Sequence, residues 1–315
     1  MILKLYKNFL NFLWLRPENA VLDTLRAADF RKVLKKYLKK NKKILDISCG
    51  DGIFSFICAG GELNVNNDAF SSIKNKKRSS KFDAYDFFDK NYKIKIKKKP
   101  LFRFHTGTDW KNNMLKKASK TKLYKNLQLH NNMKKFEIND NNFDLVFSNS
   151  AYWVKNLNFH ISEMTRVTKV GGHIYLQMKF KDSYLKTIVK NKSKFLLGNK
   201  FYEIIDAGRL KTWKGILVKK EFDKVLKGFK NIKIIYYKPL YGDLVALLWD
   251  VGFRPLFKPL HEMARGLSKN NYIKIKKQWV DIIYNLSKHY ISRYRPLKPF
   301  TIEAMEYAIL IKKIK

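Results

Sequence analysis

The sequence predicts a doubly wound α/β domain, a mainly parallel sheet with helices on both faces. Three observations carry that expectation. Short apolar bursts alternate with helix-like stretches along much of the chain, the pattern of buried parallel strands and their crossovers. A glycine turn, Ser48-Cys49-Gly50-Asp51-Gly52, joins one such strand to a helix. Polar residues recur just after the predicted strands, where open α/β sheets bind ligands.

Residues 1–15 space Ile2, Leu5, Tyr6, Phe9, Leu10 and Phe12 as a helix, with Lys4 and Lys7 interspersed and no small-residue cleavage site following. That segment is expected to pack on the domain. Its alternative is an interfacial helix, with Phe12 and Trp14 below the headgroups and peripheral membrane contact through residues 1–15. Pro17 opens a second helix. Ile44-Leu45-Asp46-Ile47 reads as a buried strand, and Ile53 begins the helix after the turn. Residues 59–100 lose periodicity and end in a basic run, so they are read as a flap insertion.

Alternation then resumes, with strands over 102–107, 127–129, 143–148 and 173–180 and helices over 112–120 and 159–168. A helix over 221–229, a strand over 232–237, cap helices over 244–267 and 273–289 and a last strand over 305–314 complete the chain. The expected organisation is N-terminal helices over 1–42, a core over 43–241, a helical cap over 242–300, and a strand over 301–315 that returns to the core sheet.

Composition narrows the function. Of 315 residues, 45% are hydrophobic and 15% aromatic, which excludes a disordered chain. Cys49 and Cys58 are the only cysteines, too few for a disulfide framework or a cysteine-rich zinc module. No apolar run approaches the ~18 residues of a spanning helix, so a cytoplasmic address is expected, peripheral at the membrane if the first helix is interfacial. The 66 Lys and Arg against 26 Asp and Glu give +40, which favours non-specific attraction to nucleic acid. Lys outnumbers Arg about five to one, and Asn, Ile, Phe and Tyr are abundant. All are A/T-rich codons, so the charge is read mainly as compositional drift, since nucleic-acid readers lean on Arg.

The glycine turn fails the dinucleotide fingerprint, because Ser55 stands where the third glycine belongs, and it lacks the Gly-Lys-Ser/Thr of a phosphate loop. Downstream, Gly107-Thr108-Asp109 puts a carboxylate where such folds bind a ribose diol, with Trp110 placed to lie against an adenine. Asn131-Asn132 and Asn149 follow the next two strands, and Gly171-Gly172 follows a helix.

This constellation resembles the class I S-adenosylmethionine-dependent methyltransferases, in the broad branch acting mostly on small molecules. The motif D-x-G-x-G-x-G is matched by Asp46, Gly50 and Gly52, with Ser48 for the first glycine. G-x-D-x-S-x-x-M-L-x-x-A is similar to residues 107–118, from Gly107 through Asp109, Met114 and Leu115 to Ala118. Residues 142–149, Asn-Phe-Asp-Leu-Val-Phe-Ser-Asn, resemble the fourth motif, and Arg166-Val167-Thr168-Lys169-Val170-Gly171-Gly172 resembles R-V-L-K-P-G-G. The likeness covers roughly residues 43–58 and 102–180.

The resemblance implies a Rossmann-like methyltransferase sheet, S-adenosyl-L-methionine as cofactor, and binding residues Asp46, Ser48, Cys49, Gly50, Gly52, Asp109, Trp110, Asn132 and Asn149. It implies no metal, and no metal-ligand spacing is present in the sequence. Asn132 stands where the family usually has an adenine-contacting Asp, and its carbonyl oxygen can still accept. The insertion lengthens a spacing that is usually about 20 residues. His105 and His130 are read as structural or cofactor-lining. His160 is the weak candidate for a catalytic base, with no substrate yet to give it a task. Cys49 is read as a small packing residue. Tyr152-Trp153 should face the transferred methyl, while Arg209, Trp213, Trp249 and Arg254 fall in no motif. The expected acceptor is a small or lipid-linked molecule, a saccharide of surface polysaccharide in the first instance. An RNA methyltransferase and an inactive methyltransferase-fold binding or scaffold protein are the alternatives, the latter motivated by Ser48 and Asn132.

Overall fold

The computed structural model describes residues 1–37, 42–70, 88, 92–186, 198–206, 208–253, 256–294 and 304–315. The middle of the expected flap and the Arg254 position lie outside them.

Two helices come first, α1 Ile2–Phe12 and α2 Pro17–Leu34, followed by β1 Ile44–Ile47 and the short α3 Ile53–Cys58. The small strands β2 Glu62–Leu63 and β3 Ile96–Lys98 pair antiparallel, apart from the main sheet. The core continues with β4 Phe104–Asp109, α4 Asn112–Lys120, β5 Tyr124–Leu129, β6 Phe143–Ser148, α5 Leu157–Val167 and β7 Thr168–Lys179. After β7 come α6 Lys181–Leu185, α7 Gly198–Asp206, α8 Arg209–Thr212 and α9 Lys219–Lys227, then β8 Ile232–Tyr241. The cap is α10 Asp243–Val251, α11 Phe257–Arg265 and α12 Lys269–Arg293, and β9 Glu306–Lys313 ends the chain.

Seven strands form one sheet in the order β5-β4-β1-β6-β7-β9-β8. The first five are parallel, and β9 runs antiparallel between β7 and β8. The order reverses between β1 and β6, so their carboxyl ends form the crevice where a doubly wound sheet takes a ligand. Both are fully buried, which explains their unbroken apolar runs in sequence.

Several boundaries differ from expectation for physical reasons. Gly171 and Gly172 do not end a helix. They lie within β7, whose pairing with β6 shifts register between Phe143 and Leu145. β8 extends to Tyr241 past Pro239, a residue an edge strand tolerates. The expected helix over 244–267 is two, α10 and α11, separated at Gly252.

α2 lies across the sheet centre, with Phe30 stacked on Phe147 at 3.9 Å and on Tyr175 at 5.1 Å between centroids. The first helix is core. Leu5, Tyr6, Phe9, Leu10, Phe12 and Trp14 are buried. The Tyr6 hydroxyl is 2.7 Å from Ser287 Oγ, and Trp14 Nε1 donates to Tyr272 Oη at 3.2 Å, both on α12. The residues a membrane would have to receive are therefore packed inside the protein, which corrects the interfacial alternative. No helix among the described residues is long and apolar enough to cross a membrane. The cap is also tied to the insertion: Lys276 Nζ reaches Asp68 Oδ2 at 3.0 Å and the Asn67 carbonyl at 2.9 Å.

Candidate cofactor and acceptor site

The turn after β1 is built on positive-φ backbone, with Ser48 at 56°, Gly50 at 58° and Gly52 at 75°. Gly52 has no alternative. A Cβ there would meet the Tyr124 ring at 3.0 Å and Ala118 Cβ at 3.3 Å in a conformation L side chains rarely adopt. Ser48 bears that conformation with a side chain, at a cost of about 1–2 kcal/mol. Its hydroxyl accepts a 2.8 Å hydrogen bond from Asn132 Nδ2. The two residues that depart from the family pattern are thus partners across the floor of one cleft.

Asp109 fixes the turn to the end of β4. Its Oδ2 accepts from Gly50 N at 3.0 Å and its Oδ1 from Lys111 N at 2.9 Å. A carboxylate oxygen can accept more than one hydrogen bond, so bracing the turn is compatible with accepting from a ligand hydroxyl. No atom of the described residues lies within 4 Å of where a Gly50 Cβ would be, so among them the backbone is open to a ligand. Ser48, Gly50, Asp109, Trp110, Lys111, Met114, Asn131, Asn132, Met133, Ser150, Trp153 and Val154 line a cleft of about 420 Å³. Trp110 and Met133 are exposed at its mouth, with Lys111 Nζ 5.3 Å from the Trp110 centroid.

Five of the nine expected cofactor residues meet at this cleft: Ser48, Gly50, Asp109, Trp110 and Asn132. Cys49, Gly52 and Asn149 are not in its lining. Asp46 stands behind the turn, buried, accepting a 2.6 Å bond from Tyr124 Oη. Burial pushes its carboxyl up to about 7, against the lowering effect of Ser55 and Tyr124. Burial likewise raises the Cys49 thiol, with Asp46 and Asp109 adding to it, so Cys49 is no poised nucleophile.

The structure does not bring His160 to the cleft. It is wholly buried, and burial followed by the neighbouring His130 lowers it to about 4. It sits 6.5 Å from the Phe136 ring, on which His130 stacks at 4.1 Å. A neutral imidazole in this apolar setting is a core residue, and the catalytic expectation is corrected on that ground. His105 bonds Thr106 Oγ1 at 2.9 Å beside Phe143, which makes it structural.

Beyond Trp153 lies a cluster the motifs gave no sign of. Lys179, the last residue of β7, is ion-paired to Glu306, the first of β9, and Arg26 reaches Glu306 with two 2.7 Å bonds. The Lys179 ammonium is 4.9 Å from the Tyr152 centroid and 5.7–5.8 Å from those of Trp213, Tyr241 and Trp249. Burial alone would raise the Glu306 carboxyl, but Arg26 and Lys179 outweigh it and hold it near about 2. These residues come together from α2, β7 and β9, so no local spacing could have signalled them.

A methyltransferase-domain family matches residues 95–176. A malonyl-(acyl-carrier protein) O-methyltransferase of Buchnera aphidicola subsp. Baizongia pistaciae (strain Bp) is 32% identical over 143 residues, covering 41% of this chain and 56% of that protein. The chain thus spans about half the length of the curated relative it matches. Among solved structures, an S-adenosylmethionine-dependent methyltransferase of Thermotoga maritima aligns at 12% identity and TM-score 0.45, over 100% of each chain. The YjhP protein of E. coli aligns at 11% and 0.46, over 91% of each. The likeness rests on the domain match and the motif residues gathered at the cleft. The chain carries a methyltransferase-domain match over residues 95–176 and resembles the class I S-adenosylmethionine-dependent methyltransferases.

Proposed function

We propose that the protein transfers a methyl group from S-adenosylmethionine to a carboxylate oxygen of a small or carrier-linked acceptor. The cofactor supplies an activated sulfonium methyl, so the protein's task is to bind, align and exclude water. Asp109 would hold the ribose hydroxyls, Asn132 the adenine edge and Trp110 its face, with the Gly50 backbone beneath.

The observation that carries the choice of acceptor is the ionisable content of the cleft. Among the described residues lining it, the ionisable side chains are Asp109 and Lys111. Asp109 accepts two backbone N–H bonds, and Lys111 is a cation. A nucleophile that arrives already ionised needs no base from this set. A carboxylate does so at neutral pH, whereas a sugar hydroxyl does not. The name of the Buchnera relative, an O-methyltransferase of a malonyl group, supports the same reading. The saccharide expected from the sequence stays within it only as a sugar acid. The mutual bond of Ser48 and Asn132 favours a working site over a decayed scaffold.

The test is transfer of radiolabelled methyl into four acceptors: a malonyl thioester on acyl carrier protein, a glucuronate, a neutral glucoside and total RNA. Base-labile label in one or both carboxylates, and none in the glucoside or RNA, is the expected result. Label in the glucoside or at a defined RNA position would overturn the carboxylate reading.

A further inference from the structure

The buried polar groups with no hydrogen-bond partner among the described residues include the Ser150 hydroxyl and the Trp213 indole N–H. Leaving such a group unmade costs about 1–3 kcal/mol, and buried polar groups in folded proteins are nearly always paired. Ser150 and Trp153 both line the cleft. Trp213 stands edge-on to Trp153 at 6.1 Å and to Tyr152 at 5.3 Å between centroids. The two orphans therefore belong to one strut, residues 150–154, and to the segment after α8 laid against it.

That segment is held by close backbone contact. Gly215 N donates to the Tyr152 carbonyl at 2.9 Å, and a Cβ at Gly215 would lie 2.1 Å from the Val154 carbonyl oxygen. Only glycine allows the approach that puts Trp213 beside Trp153. From behind, Lys179 Nζ donates to Tyr152 Oη at 3.4 Å while remaining paired to Glu306. Lys179 thus fixes the strut, which leaves Ser150 Oγ and Trp213 Nε1 without a hydrogen-bond partner among the described residues.

We propose that Ser150 and Trp213 bind the methyl acceptor through its oxygens and so select an oxygen acceptor over an amine. This rests on the methyltransferase reading above. The indole N–H only donates, and a hydroxyl can donate as well, so the ligand that satisfies both presents acceptor atoms. A carboxylate does this with one oxygen free to react. That oxygen attacks the methyl carbon, the O–C bond forms as the S–C bond breaks, and the electron pair leaves on sulfur. No proton moves. The second oxygen keeps the Trp213 N–H bond throughout, which orients the first along the line of attack.

The test is indole NMR of the full chain, 15N-labelled at tryptophan and saturated with S-adenosylhomocysteine. Two probes are titrated separately, the malonyl thioester of N-acetylcysteamine and glucuronate; they distinguish an acyl from a sugar-acid source. The expected result is a saturable downfield shift of the Trp213 indole proton with at least one of them. Trp213→Phe should weaken that probe about tenfold and Ser150→Ala several-fold, with S-adenosylhomocysteine affinity unchanged in both. If S-adenosylhomocysteine moves the Trp110 and Trp153 signals but neither carboxylate moves Trp213, the acceptor proposal fails while the cofactor reading stands. Parental probe affinity in both variants would also overturn it. Failure of S-adenosylhomocysteine to move Trp110 would remove the cofactor reading and this proposal together.

Discussion

The two halves of the crevice are built differently. On the β4–β1 side the site is open, and it is made of backbone, amides and one carboxylate: the positive-φ turn, Asp109 and the Ser48–Asn132 pair. On the β7–β9 side it is closed around charge, with Lys179 and Glu306 buried beside aromatic rings and a half-buried Arg26 paired to Glu306. An open half can receive a constant, recognisable ligand by main-chain geometry. A closed half, whose charges compensate one another, presents only what its neighbours leave unpaired.

If that contrast is right, its largest consequence is in stability. Glu306→Ala strands Arg26 and Lys179 in a buried site. Breaking such a network is expected to cost about 3–5 kcal/mol, read by urea unfolding. S-adenosylhomocysteine affinity, measured where the variant is folded, should change little. Equal stability in variant and parent would mean the cluster is solvated.

The halves should also respond oppositely to pH. Glu306 is held near about 2, below its ordinary 4.5, so its contribution is present above 4.5 and is lost as pH falls toward 2. Asp46 is raised from 3.8 to about 7. The folded state holds that proton more tightly, so stability declines as pH climbs from about 4 to about 7, at about 1.4 kcal/mol per unit. Asp46→Asn stays neutral and should flatten that limb of the profile, measured by urea midpoints across pH 4–8. An unchanged slope would place a different group behind it.

This contrast also explains what was legible in the sequence. The turn, Asp109 and Asn132 lie within a few residues of strand ends, so local spacing exposes them. Lys179 and Glu306 are 127 positions apart, and Trp213 comes to lie beside Trp153, a residue of the cleft lining, only because Gly215 lets one loop lie on another. His160 misled because a residue type suited to base chemistry says nothing of depth, and it lies fully buried. The first helix carried an apolar pattern equally suited to lipid and to core, and only its partners on α12 decide between them.

The smallest effect concerns the open half alone. In a double-mutant cycle of Ser48→Gly and Asn132→Asp, the 2.8 Å bond predicts a coupling of about 0.5–1.5 kcal/mol in S-adenosylhomocysteine affinity. Additive effects would mean the two departures from the family pattern are independent.

The central claim is that the open half holds the cofactor through Asp109 and the turn it braces. Titration calorimetry of S-adenosylmethionine into the parent and Asp109→Ala tests it most directly. One molecule should bind per chain in the parent, and the variant should bind at least about tenfold more weakly, because the ribose loses its acceptor and the turn its brace. Equal affinity in the two, or no binding in the parent, would contradict the account.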